Sequence, residues 1–306
     1  MTYIKVSQAA QKWGITPRRV RILCAEGKIE GVTRQGKLYM IPETAPKPAD
    51  GRRRAVSFLK QPYGSLLQSI DAKKEQLDSR RPLTQGELLR LRDDFLIDFT
   101  YNSNAIEGNT LTLQETALVL EGITIDRKPL KDHLEAVGHR DAYLYMEDLA
   151  KGHGDLTPME IKSIHALVLM HRPEDKGVYR KIPVSILGAF VQPVEPFLIA
   201  EKMDDLLAME QQRKNTLHVI ERIARFHLEF EGIHPFIDGN GRCGRLLMNF
   251  ALIRNGYPPV NIKFTHRKRY YDAFDAYYRD GDAGAMVTML AEYVNQRLDG
   301  YLQMLD

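Results

Sequence analysis

The stretch His234-Pro235-Phe236-Ile237-Asp238-Gly239-Asn240-Gly241-Arg242-Cys243-Gly244-Arg245 brings an imidazole, a carboxylate, a Gly-Asn-Gly turn and two arginines together. An apolar run follows directly, through Leu246, Leu247, Met248, Phe250, Ala251 and Leu252, and predicts a helix opening at the turn. Glycines let successive backbone N–H groups converge on an anion, and the positive end of the helix points at the same place. Arg242 and Arg245, three apart, project from the first turn and can fork onto phosphate oxygens. Asp238 is placed to hold a divalent cation shared with phosphates, and His234 to take a proton from a hydroxyl. The stretch reads as a phosphate cradle with a base at its lip.

Outward from it, the composition is that of an ordinary globular chain. Of 306 residues, 43% are hydrophobic and 27% charged. This length accommodates one large domain and a small one. No apolar run reaches transmembrane length and the first residues carry no signal-peptide core, so no membrane partner is expected. Cys24 and Cys243 form no metal pattern, and a reduced, cytoplasmic setting is the expectation. Charge is uneven. Residues 1–60 hold 13 Lys and Arg against 4 Asp and Glu, while the remainder holds 30 against 36. A basic module joined to a mildly acidic one follows.

Residues 1–42 read as a helix-turn-helix with a wing. Ser7 is an N-cap for a helix through Trp13, and Thr16-Pro17 opens a second helix to about Ala25 that carries Arg18, Arg19 and Arg21. Two β-runs follow, Ile29–Val32 and Lys37–Ile41, about a turn near Arg34-Gln35-Gly36. This segment resembles the compact winged modules of the MerR and excisionase type. The resemblance implies DNA in contact with Arg18, Arg19 and Arg21, with Arg34 and Lys37 reaching phosphates from the wing. Residues 43–56, rich in proline and then basic, read as a linker.

From residue 57 to 306 the pattern is helical. Capping boxes start at Thr84, Thr112 and Thr157, and further helices are predicted over Leu130–Leu149, Ala200–Gln212, Thr216–Glu231 and Met286–Leu298. The fold class is therefore mainly α. The exception is a predicted hairpin over about 182–193, turning at Gly188-Ala189. His227 reads as a buried, hydrogen-bonded histidine and Cys243 as small-residue filler.

The string 234–245 also resembles the signature of the Fic family, HxFx(D/E)GNGRxxR, with each fixed position filled. The resemblance extends over roughly 60–300. It implies an all-helical core with a hairpin flap over 182–193, which would pair edge to edge with an extended target segment. It implies transfer of AMP from ATP, with Mg²⁺, to a Ser, Thr or Tyr hydroxyl of a protein and of the chain itself. His234 would be the catalytic base and Asp238 the metal ligand. Gly239, Asn240, Gly241, Arg242 and Arg245 would bind the phosphates, and Tyr270 the base or ribose, with Tyr271 in the core. Where many relatives continue to Ala-Asn-x-Gly-Asp, this chain reads Ala276-Tyr277-Tyr278-Arg279-Asp280-Gly281-Asp282, without the asparagine. Asn102 to Asn109 resembles the family's inhibitory motif, (S/T)xxxE(G/N), in the class II position. Ser103 and Glu107 would then brake the site through Arg245. Family members often form dimers, so a homodimer is an expectation too. Two alternatives remain open at this level: removal of AMP by the same site, and a DNA-binding regulator whose Fic domain senses nucleotide.

Overall fold

The structure is a computed structural model that describes residues 2–13, 17–25, 27–36, 38–46, 61–80, 84–152, 154–186 and 190–305. The chain divides into two units, Met1–Val56 and Ser57–Asp306.

The first unit has two helices and three strands among the described residues. β1 (Tyr3–Lys5) leads into α1 (Val6–Trp13), then α2 (Pro17–Ala25), β2 (Thr33–Gln35) and β3 (Leu38–Pro42). The antiparallel sheet has the order β1-β3-β2, with Ile4 opposite Ile41 and Arg34 opposite Tyr39. Ala9, Ala10, Trp13, Val20, Leu23 and Ile41 fill its core. Two expectations need correction. Ser7 lies inside α1 rather than capping it, and the Lys5 N–H instead donates to Gln8 Oε1 at 2.9 Å. The first β-run falls at Thr33–Gln35, because Ile29 turns into the core and leaves the ladder to the residues after Gly31. Residues 47–56 of the expected linker lie outside the described residues.

The second unit is helical. Its described helices are α3 (Gly64–Ser79), α4 (Gln85–Ile106), α5 (Leu113–Leu120), α6 (Leu130–Lys151), α7 (Pro158–Val168), α8 (Ile199–Arg213), α9 (Val219–Ile233), α10 (Asn240–Arg254), α11 (Arg267–Asp280) and α12 (Gly284–Leu305). All three capping boxes form. At α4, Glu87 N–H donates to Thr84 Oγ1 at 3.3 Å while Thr84 N–H donates to Glu87 Oε2 at 2.7 Å. Such reciprocal bonds satisfy two orphan donors of a first turn.

α9 and α10 form the centre. α10 packs on α6, α7 and α9, and α9 also on α8 and α12. Leu228, Met248 and Leu252 belong to one apolar cluster with α3 and α12, whereas Phe230, Leu246 and Phe250 belong to another with α6, α7 and α8. Both helices are therefore buried on more than one side. A loop between two such helices inherits their rigidity, and this one carries residues 234–239.

The segment 178–195 is irregular and forms no β-ladder among its described residues; the predicted turn, Gly188-Ala189, lies outside them. Pro183, Pro193 and Pro196 have no N–H to give to a ladder. No helix among the described residues is long and apolar enough to cross a membrane.

Candidate active site

Two left-handed residues bound the loop. α9 ends at His234 with φ 51, and α10 begins at Gly239 with φ 78. Glycine adopts this conformation freely, but a histidine there stores strain of roughly 1–3 kcal/mol and persists only where its surroundings impose it. The surroundings are visible. Arg180 Nε donates to the His234 carbonyl at 2.8 Å, and the Arg180 N–H to the Pro235 carbonyl at 3.0 Å. The same guanidinium reaches the carbonyls of Ile182 and Val194, tying both ends of the irregular segment to the loop. Asn240 staples the loop from inside: its Oδ1 accepts from Phe236 N–H at 2.9 Å and its Nδ2 donates to the Phe236 carbonyl at 2.8 Å. The first intrahelical N–H of α10 is that of Cys243, donating to the Gly239 carbonyl at 3.0 Å. Geometry leaves the N–H groups of Asn240, Gly241 and Arg242 directed outward along the helix axis, as an anion site requires.

Asp238 and Arg242 form the first half of the charged site. Asp238 Oδ1 accepts from Gly239 N–H at 2.6 Å and from Arg242 Nη2 at 3.3 Å. Burial would raise this carboxyl, but Arg242, the Gly239 N–H, Lys131 and Arg172 outweigh it and hold it below its usual range. Arg242 is fully buried, and its Nη1 lies 2.9 Å from Glu135 Oε1 on α6. Glu135 also accepts from Asn109 Nδ2 at 3.0 Å. From α7, His165 donates through Nε2 to the Asp238 carbonyl at 3.0 Å and accepts at Nδ1 from Gly177 N–H at 2.9 Å. Its ring stacks on Phe236 at 3.7 Å and 5°. Burial lowers this imidazole to about 4, so it stays neutral with its proton on Nε2.

Arg245 forms the second half. Its Nε donates to Ser103 Oγ at 3.0 Å, and its Nη2 to the Ser103 carbonyl and to Glu107 Oε1, each at 2.8 Å. Burial alone would lower the guanidinium; the Glu107 carboxylate more than reverses that. Glu107 sits at the C-terminal end of α4 with a side chain 33% exposed, against 2% for Arg245. The approach requires Gly241, since a Cβ there would stand 2.2 Å from Glu107 Oε1.

His234 lies beside these groups. Burial, first, lowers its imidazole to about 4. His227 is buried and neutral for the same reason, pulled down to about 3, and its Nε2 lies 2.6 Å from Tyr270 Oη.

His234, Glu107, Gly241 and Arg245 line one cleft of about 340 Å³, whose walls include Ile186, Val191, Arg267, Tyr271 and Tyr278. The structure thus brings Ser103, Glu107, His234, Asp238 and residues 239–245 together. Two assignments change. Arg242 does not line the cleft, because Glu135 and Asp238 take up its guanidinium. Tyr271, expected in the core, is 39% exposed and lines the cleft. Asn240 turns its side chain inward to Phe236 and keeps its backbone N–H for an anion, and Tyr270 lines the cleft while its hydroxyl meets His227. In the first unit, Arg21 is exposed on α2, while the side chains of Arg18 and Arg19 lie outside the described set.

Reasoning from sequence missed Glu135, His165 and Glu231, and gave Arg180 no role. The available signal was positional. Asp132, Glu135 and His139 recur at helical spacing on the apolar side of α6, where ionisable residues need a partner. No group of three or more metal-capable side chains exists among the described residues. A single carboxylate still fits Mg²⁺, which takes one or two carboxylates and completes its shell with phosphates and water.

The fold and site define a mainly helical protein with a cleft of about 340 Å³ at a helix N-terminus, a neutral imidazole beside it and a carboxylate on its inner arginine. Comparison places it further. The Fic/DOC family profile matches residues 155–252. The protein adenylyltransferase Fic of Nematostella vectensis is 33% identical over 307 residues, covering 95% of this chain and 70% of that protein. The one of Drosophila melanogaster is 34% identical over 253 residues, 79% of this chain and 51% of that protein. The chain spans about half the length of the Drosophila relatives it matches. Among solved structures, a Fic domain containing signaling protein from Bacteroides thetaiotaomicron superposes with TM-score 0.70 at 28% identity, over 78% of this chain and 96% of that one. Fic-1 from C. elegans follows with TM-score 0.68 at 29% identity, over 78% and 72%. The chain belongs to the Fic/DOC family.

Proposed function

We propose that this chain is an autoinhibited protein adenylyltransferase, moving AMP from ATP to a protein hydroxyl, its own included. The observation that carries the reading is the Glu107–Arg245 contact of 2.8 Å inside the cleft that His234 also lines. An arginine at a helix N-terminus is a phosphate ligand by chemistry. Held by a carboxylate, it cannot hold the terminal phosphate of ATP, and the α-phosphate is left misaligned for in-line attack. With Glu107 withdrawn, Arg245 takes that phosphate, and the N–H groups of residues 240–242 cradle the charge that develops on phosphate oxygens. The substrate hydroxyl oxygen bonds to the α-phosphorus, the bond to pyrophosphate breaks, and the hydroxyl proton passes to His234. Asp238 would hold a Mg²⁺ shared with the phosphates, which supplies charge neutralisation there. Arg242 and His165 act by fixing Asp238.

The test is transfer of labelled AMP from ATP and Mg²⁺ onto the protein itself. Label rises on the order of 100-fold in Glu107→Gly, the scale of a few kcal/mol of coupling, and disappears in Glu107→Gly/His234→Ala. A silent Glu107→Gly chain that still binds ATP sinks the reading. It would favour AMP removal, for which the cleft-lining, one-third exposed Glu107 carboxylate supplies a group that can align water.

For the first unit we propose DNA binding, on the charge surplus of residues 1–60 and the exposed Arg21. Affinity for duplex DNA should fall steeply with salt and weaken in Arg18→Ala/Arg19→Ala/Arg21→Ala. An affinity indifferent to both would end that proposal.

A further inference from the structure

One buried acid beside the base has no part in the scheme above. Glu231 stands one turn before His234 on α9 and is 8% exposed. Its Oε2 lies 3.8 Å from His234 Nδ1. Glu231 Oε1 and His234 Nδ1 are both buried; the carboxyl oxygen has no hydrogen-bond partner among the described residues, and the only protein acceptor that pulls the imidazole up by a hydrogen bond is the Glu231 backbone. An unpartnered buried carboxyl is costly and uncommon. The nearer carboxyl oxygen, Oε2, stands about 1 Å farther from Nδ1 than a hydrogen bond requires. Hydrogen bonds within a catalytic pair are often long before substrate arrives and close only in the complex.

The backbone makes room for the carboxyl. A Cβ on Gly244 would stand 2.5 Å from Glu231 Oε1 and 2.7 Å from His227 Cε1, so glycine lets α10 close over both side chains.

We propose that Glu231 is the positioning residue of the base: it accepts from His234 Nδ1–H and so leaves Nε2 to take the hydroxyl proton. The inference rests on the adenylyltransferase reading and adds a residue to it. In the step, the substrate O–H bond breaks, the oxygen bonds to the α-phosphorus, the bond from that phosphorus to pyrophosphate breaks and pyrophosphate leaves, and the proton goes to His234 Nε2. The Nδ1 proton stays where it is, and the imidazolium that forms is stabilised by the carboxylate behind it.

The groups facing Glu231 tie this role to the brake. His227 and His234 face it from α9, Cys243 and Arg245 from α10, Tyr270 and Tyr278 from α11, and Glu107 from the end of α4. Burial, and next the negative Glu107, raise the Glu231 carboxyl to about 8, against the pull of Arg245. Withdrawal of Glu107 removes the repulsion and leaves Arg245 in place. The departure that frees the arginine for phosphate thus also lowers the carboxyl that partners the base.

The test compares Glu107→Gly with Glu107→Gly/Glu231→Gln, an isosteric change that removes only the charge. Imidazole nitrogen NMR shifts in Glu107→Gly alone give the tautomer, with no dependence on turnover. A neutral His234 protonated on Nδ1 is expected; a proton on Nε2 overturns the proposal. In the double variant the His234 titration should move down by roughly one pH unit. Pyrophosphate release should fall about 10- to 100-fold with ATP affinity and thermal midpoint held. An unmoved titration, or equal rates, refutes the role. If Glu107→Gly transfers no AMP at all, the adenylyltransferase reading fails, and the tautomer and titration still decide whether Glu231 positions His234.

Discussion

Arg242 and Arg245 occupy the same turn of the same helix, each with a carboxylate partner at under 3 Å, yet they belong to different kinds of structure. Arg242 meets Glu135, which projects from the buried side of α6 with its side chain 6% exposed and is held in turn by Asn109. Arg245 meets Glu107, which hangs from a helix end and is 33% exposed. The first contact can open only by leaving two buried charges on longer contacts, Arg242 on Asp238 and Glu135 on Lys131. The second can open by one side chain swinging into water, with Ser103 still holding the guanidinium. One pair fixes the site, and the other gates it.

The largest expected effect separates the two acids. Glu135→Ala leaves the buried guanidinium only its 3.3 Å contact with Asp238 and should lower stability by about 3 kcal/mol. Glu107→Ala leaves Arg245 its two bonds to Ser103 and should cost about 1 kcal/mol or less. Denaturant midpoints of the two variants decide it. Equal losses would erase the distinction between a fixed and a releasable pair.

Acid comes next. His165, His227 and His234 are lowered by burial to about 4, about 3 and about 4. Unfolding returns each to the ordinary value near 6.5, so below it the unfolded chain binds more protons than the folded one. Their contribution is therefore present in full above pH ~6.5 and is lost as pH falls towards the folded values. Glu231, raised to about 8, has the opposite sign: its contribution is complete below the ordinary carboxylate range and declines as pH rises through 8. Between pH ~6 and ~5 the histidines dominate, and net stability should fall by roughly 2–3 kcal/mol. Thermal midpoints across that range check the slope. His165→Gln keeps a donor for the Asp238 carbonyl and should flatten the slope by about one proton.

How much of this was legible in sequence depends on how far apart the partners lie. Residues 234–245 are contiguous, and their chemistry could be read directly. Ser103 and Glu107 were legible only through their likeness to a known motif, since nothing in their own spacing points to Arg245. Glu135, His165 and Arg180 escaped, because each acquires its role through a carbonyl or charge brought near only by packing. Tyr271 was misplaced for a related reason: the cleft that exposes it is assembled by packing, and Tyr270, which also lines it, is held by His227 of another helix.

The smallest effect sharpens the comparison through two glycines of the same helix. A methyl on Gly244 would meet Glu231 and His227, both buried and unable to retreat. Gly244→Ala should cost about 1–3 kcal/mol, as overpacking does in a closed interior. A methyl on Gly241 would come closer still to an acceptor, 2.2 Å from Glu107 Oε1, but that atom ends a flexible side chain with water beyond it. Gly241→Ala should therefore cost under about 1 kcal/mol, offset in part by the better helix propensity of alanine. The clash would instead appear as a displaced Glu107 and a rise in self-labelling, smaller than that of Glu107→Gly. The tighter contact is predicted to be the cheaper one, because the cost of a collision depends on where the struck group can go. If Gly241→Ala proves the more destabilising of the two, Glu107 is as firmly held as Glu135, and the gate is not a gate.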